Sequence, residues 1–296
     1  MFCVFLGIVN IRLKLGVIAW VAMCALASGC AVSRKSVVAP IASAPAMNAT
    51  KTELINRYNQ EASAVQTINA TVRMSPTAGS ALSGVIENYH QVNGYILAER
   101  PDSIRVIGQA PVIPKDIFDM ASDGQVFHIF IPSKNEFIEG PADLHRAGKH
   151  PIENLRPQHL FDALIWPAIE ADAAVLLEEA DALPVHYYVL TVAANGSQGW
   201  ELQRKVWFDR TNLQMARMQV YDPQGVIVSD VQMKDWQPAD AINYPRHILI
   251  DRPVDDYRLD IAVTQLTVNQ AVSADRFHLV QPAGTQLVRL GEDARP

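Results

Sequence analysis

The chain has 296 residues, 49% of them hydrophobic and 19% charged, with a formal charge of −6. That acidic balance argues against nucleic acid as a partner and offers no electrostatic route to anionic lipid. Cys3, Cys24 and Cys30 all lie near the N-terminus, so the rest of the chain holds no disulfide, thiolate metal site or cysteine nucleophile.

Arg12 and Lys14 precede an uncharged run from Leu15 to Leu26, which closes on Ala27-Ser28-Gly29-Cys30. Basic, then apolar, then small residues is the order of a secretory signal. The run is shorter than the roughly 20 residues that a spanning helix needs. Leu26 to Cys30 resembles a bacterial lipobox, which predicts that Cys30 is lipidated and becomes the first mature residue. An uncleaved anchor and an ordinary signal peptide with an incidental cysteine are the other two readings. Removing residues 1–29 from the 296 leaves 267, and losing Arg12 and Lys14 takes the formal charge from −6 to −8. Ala31 in the second mature position predicts the outer membrane rather than the inner one, with the domain facing the periplasm. The rest of the segment 30–50 is rich in Ala, Ser, Pro and Val and reads as a flexible tether. Residues 51–290 are expected to form a single domain, followed by a short tail, 291–296.

Leu54, Ile55, Tyr58, Ala62, Val65 and Ile68 recur near the helical period and predict a helix from about Lys51 to Ile68. Short runs rich in β-branched and aromatic residues then predict strands at Thr67–Ser75, Ala81–Gln91, Gly94–Ala98, Ser103–Gly108, Asp116–Ser122, Gln125–Ile131 and Glu136–Glu139. A second series covers His186–Ala193, Glu201–Asp209, Leu213–Tyr221, Val226–Trp236, Pro245–Asp251, Asp256–Val268 and Phe277–Leu279. Asn93-Gly94, Asp123-Gly124, Asn195-Gly196, Asp209 to Asn212 and Asp222 to Gly225 are the expected turns. Connections this short make an antiparallel meander.

Between Leu144 and Leu183 the β rhythm stops. Pro157 opens a helix whose apolar face is Leu160, Phe161, Leu164 and Ile165, and Pro167 ends it. Ala171–Ala180 reads as a second helix, although Val175-Leu176-Leu177 also suits a strand. The expected fold class is therefore mainly β (α+β): a curved antiparallel sheet, or half-open β-barrel, covered by the N-terminal helix and by mid-chain lid helices. Such an arrangement removes an exposed apolar face and free edges together.

Gln125 to Ile131 and His186 to Leu190 are apolar on both strand faces, whereas a simple soluble barrel alternates apolar and polar. Thick core packing is one explanation. The other is an apolar cavity for acyl chains, in which each buried methylene contributes about 0.8 kcal/mol. Phe127, Ile129, Tyr188, Leu190, Phe161, Leu164 and Trp166 are the candidate lining residues. Catalytic signals are poor: the chain contains no Gly-x-Ser-x-Gly elbow, no His-Glu-x-x-His pair and no glycine-rich phosphate loop after a strand. His145 and His150 lie five apart, a poor ligand spacing, and the adjacent acids Asp255-Asp256 and Glu178-Glu179 read as solvated faces. No enzyme, metal or cofactor is expected.

Three passages carry a family resemblance from Ile68 to Leu290: Ala98-Glu99-Arg100-Pro101-Asp102-Ser103-Ile104-Arg105-Val106, Phe118 to Gly124, and Phe277-His278-Leu279 followed by Pro282-Ala283-Gly284-Thr285. In this order they resemble the LolA/LolB-like lipoprotein-sorting superfamily, and the lipobox points to its membrane-anchored, LolB-like side. The resemblance implies a half-barrel with a helical lid that holds acyl chains of lipids or lipoproteins, possessing a periplasmic carrier protein as partner. It also implies a membrane wedge after an early strand, for which Val112 and Ile113 are the candidates; packing under the lid is their alternative. The expected function is acyl-chain binding and transfer at the outer membrane. A non-catalytic sensor or structural module that binds a protein partner is the alternative.

Overall fold

The computed structural model describes residues 45–80, 85–88, 90–113, 115–142, 144, 156–182, 185–196 and 199–291. The expected signal segment, Cys30 and all of the tether before residue 45 lie outside the described residues. Ser43 to Pro296 make one compact unit with its own core, the property that lets a domain fold alone.

Helix α1 (Lys51–Ala64) starts at a capping box: Thr50 Oγ1 accepts from the Glu53 N–H, and the Glu53 carboxylate accepts from the Thr50 N–H. It ends before the expected Ile68, because Val65 is already extended and Thr67 opens the first strand. Apolar spacing alone did not separate the last helical turn from the strand that continues it.

Among the described residues, fifteen strands form one mixed, unclosed, curved sheet. They are β1 (Thr67–Ser80), β2 (Val85–Asn88), β3 (Val92–Glu99), β4 (Ser103–Gln109), β5 (Asp116–Ser122), β6 (Val126–Ile131) and β7 (Glu136–Pro141). After helix α2 (Pro157–Leu164) come β8 (Ala174–Ala182), β9 (Val185–Gly196), β10 (Gly199–Asp209), β11 (Gln214–Tyr221) and β12 (Ile227–Ala239). The series closes with β13 (Ile242–Arg252), β14 (Tyr257–Val268) and, past a 3-10 turn at Ala274–Phe277, β15 (Gln286–Arg289). The order is β15-β7-β6-β5-β4-β3-β1-β14-β13-β12-β11-β10-β9-β8, and β2 pairs with β1 beside it. Two meanders thus meet where β1 pairs with β14, Ile68 opposite Val268 and Ala78 opposite Tyr257.

Four expectations are corrected. Ala171–Ala180 is not a helix: β8 pairs with β9, Val175 opposite Val192 and Leu177 opposite Leu190. Pairing along a long neighbour outweighs the helix propensity of an Ala-rich run, so the described lid has one helix. Phe277–Leu279 is not a strand; the last strand is β15, and it is parallel to β7, Gln286 opposite Glu136. A parallel partner needs a long connection, which the chain between β7 and β15 supplies, and it covers an otherwise free edge. Asn93-Gly94 is not a turn but lies inside β3, where a Cβ on Gly94 would come within 2.4 Å of Met74 Cε. Of the expected strand Ala81–Gln91, β2 covers Val85–Asn88, His90 and Gln91 are outside any strand and β3 starts at Val92, while residues 81–84 and 89 lie outside the described residues.

The two-sided apolar strands have a physical cause. The inner row of β6, Phe127 and Ile129, joins the central core. Across the outer face runs the segment between β14 and β15: Phe277 is buried, and Val126 and His128 line one small cavity with Phe277 and Leu279. Arg105 fastens this strap. Its Nε and Nη2 donate to both Asp119 oxygens at 3.0 and 2.7 Å, and its Nη1 donates to the Arg276 carbonyl at 3.0 Å.

Candidate functional site

Phe127 and Ile129 come from β6, Tyr188 and Leu190 from β9, and Phe161 and Leu164 from α2, with Trp166 just beyond it. The sheet brings all seven into one core, each with no more than 4% of its surface exposed. The cavity under the strap and the one described below are lined by other residues. Trp166 packs its ring 6.3 Å from those of Trp236 and Tyr244, and its indole N–H is buried without a hydrogen-bond partner.

The chain from α2 onward is held down through its own backbone carbonyls. Tyr244 Oη on β13 donates to the Leu164 carbonyl at 2.9 Å. Arg100, between β3 and β4, donates from Nη2 to the Trp166 carbonyl at 2.9 Å. The same guanidinium serves the C-terminal end of α1, donating to the carbonyls of Ala62 at 2.8 Å and Val65 at 2.9 Å. Tyr58 Oη and Arg204 Nη1 both donate to the Pro167 carbonyl, at 3.0 and 2.9 Å. Asn59 closes the series by donating to the Ile169 carbonyl at 3.0 Å and accepting its N–H at 2.8 Å. Irregular buried backbone needs such partners. The Arg100-Pro101 passage singled out in the sequence is thus explained as a clamp. Of the other four, Tyr58 was legible only as part of the apolar face of α1, and Asn59, Arg204 and Tyr244 gave no sequence signal; they stand on α1, β10 and β13, and only the fold brings them together.

The exposed side of α2 is polar and faces charges on the sheet. Arg252 Nη2 lies 3.0 Å from His159 Nε2, and Arg252 Nε donates to Asp255 Oδ2 at 2.8 Å. Tyr257 Oη stands 3.4 Å from His159 Nδ1, and burial raises its hydroxyl above the usual phenol range. Asp162 remains open to solvent, yet the protein atoms crowded around it raise its carboxyl above the usual carboxylate range; Gln158, Arg252 and Arg204 oppose that shift. The guanidinium of buried Arg156 lies 4.7 Å over the Phe127 ring, joining this polar group to the apolar core.

Val112 and Ile113 stand at the tip of the β4–β5 hairpin, which is closed by the Ala110 N–H donating to the Lys115 carbonyl. They are strongly exposed and do not pack under α2. On the opposite, outer face of β9 to β12, a cavity of about 460 Å³ opens where β11 and β12 separate. Their pairing stops at Arg217 opposite Gln232, and Trp236 Nε1 reaches the Met215 carbonyl at 3.0 Å. Tyr187, Trp207 and Arg217 line it, with Arg217 5.1 Å over the Trp207 ring and paired to Asp230.

No family model matches the chain, and no curated protein matches it. Among solved structures it is similar to a LolA superfamily protein from Nitrosomonas europaea, at 11% identity over 78% of this chain and 99% of that one, with a TM-score of 0.49. It is also similar to a DUF1329 family protein from Desulfovibrio piger, at 15% identity over 76% and 94% of the two chains, TM-score 0.49. A domain assigned to outer-membrane lipoprotein sorting in Vibrio parahaemolyticus gives 10% identity over 75% and 94%, TM-score 0.48.

Proposed function

We propose that this chain is a lipid-anchored envelope protein whose domain takes up acyl chains of lipids or lipoproteins and assists their transfer or insertion at the outer membrane. One observation carries the reading: four residues of the two-faced apolar strands β6 and β9 and three of the α2 region converge into a single core beneath one short helix. An acyl chain enters by displacing α2 and takes over the contacts that Phe161, Leu164 and Trp166 now make, each methylene contributing about 0.8 kcal/mol. The lipobox-like Leu26 to Cys30, the tether behind it and the passages resembling the LolA/LolB-like superfamily support the same assignment. Val112 and Ile113 are the wedge that enters the bilayer during delivery. Saturable uptake of a fluorescent fatty acid by the unit Ser43–Pro296, together with lipid detected by mass spectrometry in the freshly purified protein, is the expected result. Delipidated protein that shows no saturable uptake removes the proposal.

A second reading, a module that binds a protein partner, is favoured by the five side chains that pin residues 164–169. A lid held that firmly suits a structural core, and the cavity at the β11–β12 split offers a surface on the outer face. Cross-linking in cells that captures one dominant protein, with no lipid in the purified domain, decides for it.

A further inference from the structure

The antiparallel register assigns each hairpin turn to one of two ends of the sheet. Asn93 pairs with Gln109, Ala78 with Tyr257, Arg252 with Tyr257, Tyr221 with Ile227 and Gly196 with Gly199. The β4–β5, β13–β14, β11–β12 and β9–β10 turns therefore share one end. Each carries an exposed apolar side chain at or beside its tip: Val112 at 88% and Ile113 at 71%, Val254 at 53%, Val226 at 48% and Trp200 at 62%. At the other end the turns carry Asp102, Asp123, Asp209 to Asn212 and Asp240. Exposed apolar residues toward that end are Val126, at 36%, Met47 beside Arg210, and Val280 on the strap, next to Leu279, which lines one cavity with Asp123 and Val126. A single exposed valine needs no explanation. Four hairpins of one end doing the same thing does, three of them neighbours along the sheet; the β6–β7 turn at this end, Pro132 to Asn135, is the polar exception.

We infer that this end is a bilayer-contacting rim: Trp200, Val226 and Val254 enter the interface of the anchoring membrane along with Val112 and Ile113. The proposal rests on the membrane-anchored reading above and extends its single wedge to the whole end of the sheet, which fixes how the domain stands on the lipid. Separate apolar tips on separate turns suit a fluid surface, which closes around each of them, better than a rigid protein face. A tryptophan near the boundary fits the amphipathic interface. Tether length is compatible. Met47 is bonded to Arg210 at the polar end, and seventeen residue-to-residue steps lead to it from Cys30. Fully extended they reach about 58 Å at about 3.4 Å each, against about 40 Å along twelve-residue β14. The apolar end can therefore meet the same membrane that holds Cys30. His159, Arg252, Asp255 and Tyr257 belong to this end as well, since Arg252 and Asp255 flank the β13–β14 turn, so the polar side of α2 faces the headgroups.

The test is cosedimentation of the unit Ser43–Pro296 with vesicles of phosphatidylethanolamine and phosphatidylglycerol. Trp200→Asp and Val254→Asp should each weaken partitioning about tenfold, since each removes a buried apolar side chain from the lipid. Val126→Asp at the opposite end should leave it unchanged, and raised salt should not weaken it, because salt only screens the repulsion between an acidic chain and anionic lipid. In the unsubstituted domain, brominated lipid should quench a fluorescence component that Trp200→Phe removes. Equal partitioning of rim and control variants, or quenching that is the same with and without Trp200, overturns the inference, as does a domain that ignores vesicles altogether. Fatty-acid uptake measured on the same samples reports separately on the acyl-binding reading: its loss with vesicle binding intact sinks that reading alone.

Discussion

Removing the Tyr244 hydroxyl is the cleanest probe of how the segment after α2 is held. Tyr244 is 1% exposed, and its Oη donates at 2.9 Å to the carbonyl of Leu164, the last residue of α2. Tyr244→Phe keeps the ring and its 6.3 Å packing on Trp166, so it creates almost no cavity. What remains is a buried carbonyl without its donor, a cost of about 1 to 3 kcal/mol, partly offset because no hydroxyl need be desolvated. We expect a net loss of about 1.5 kcal/mol. For a unit of this size that lowers the melting temperature by about 3 to 6 °C and the urea midpoint by about 0.5 M. Amide exchange over Ile165–Ile169 should accelerate in the variant. Tyr221→Phe is the comparison, since that half-buried hydroxyl donates to the Gln219 side chain on the outer face, and it should cost less than Tyr244→Phe because water can reach the site. If Tyr244→Phe is no more costly than Tyr221→Phe, the bond does not secure the lid and the argument for a pinned segment fails.

Two further predictions follow from particular contacts. Because crowding raises the Asp162 carboxyl, the folded state carries that group at a cost once it ionises. Its stabilising share is present below the ordinary value of 3.8 and disappears as pH rises through the raised folded value. Asp162→Asn should therefore be more stable than the parent at neutral pH and equal to it below about pH 3.8; a variant less stable at pH 7 would mean that Arg204 and Arg252 outweigh the desolvation. Gly108→Ala places a Cβ 2.4 Å from Phe118 Cε1 and 2.5 Å from its Cζ. The aromatic ring cannot yield as a methionine terminus can, so urea denaturation should show a loss of about 2 kcal/mol.

Much of the architecture was written in local pattern. Alternating β-branched runs and Asp- and Gly-bearing turns located most strands within a few residues, and Asp116–Ser122 to the residue, because hairpins depend on neighbours a few positions away. Pro157 and the Leu160/Phe161/Leu164 spacing located α2 for the same reason. The failures share a cause. Ala171–Ala180 has a helical composition but pairs with β9, Asn93-Gly94 has a turn composition but sits under Met74, and β15 finds β7 far back along the chain. In each case contact with another strand overrode a local preference, whether that strand is next along the chain, as for β8, or far back, as for β15.

The same division runs through the candidate site. The sequence by itself determined which residues are apolar enough for a core or an acyl chain, which loop carries Val112 and Ile113, and where a lipidated cysteine would fall. Tertiary structure alone decided that Phe127, Tyr188 and Phe161 touch one core, that Arg100, Tyr58, Asn59, Arg204 and Tyr244 converge on six residues of backbone, and that four turns with apolar tips share an end. Hydrophobic periodicity reports the face of an element from its nearest neighbours in sequence. Which faces meet, and which ends align, depends on strand register across hundreds of residues, and a single chain read from one end to the other carries no local mark of that.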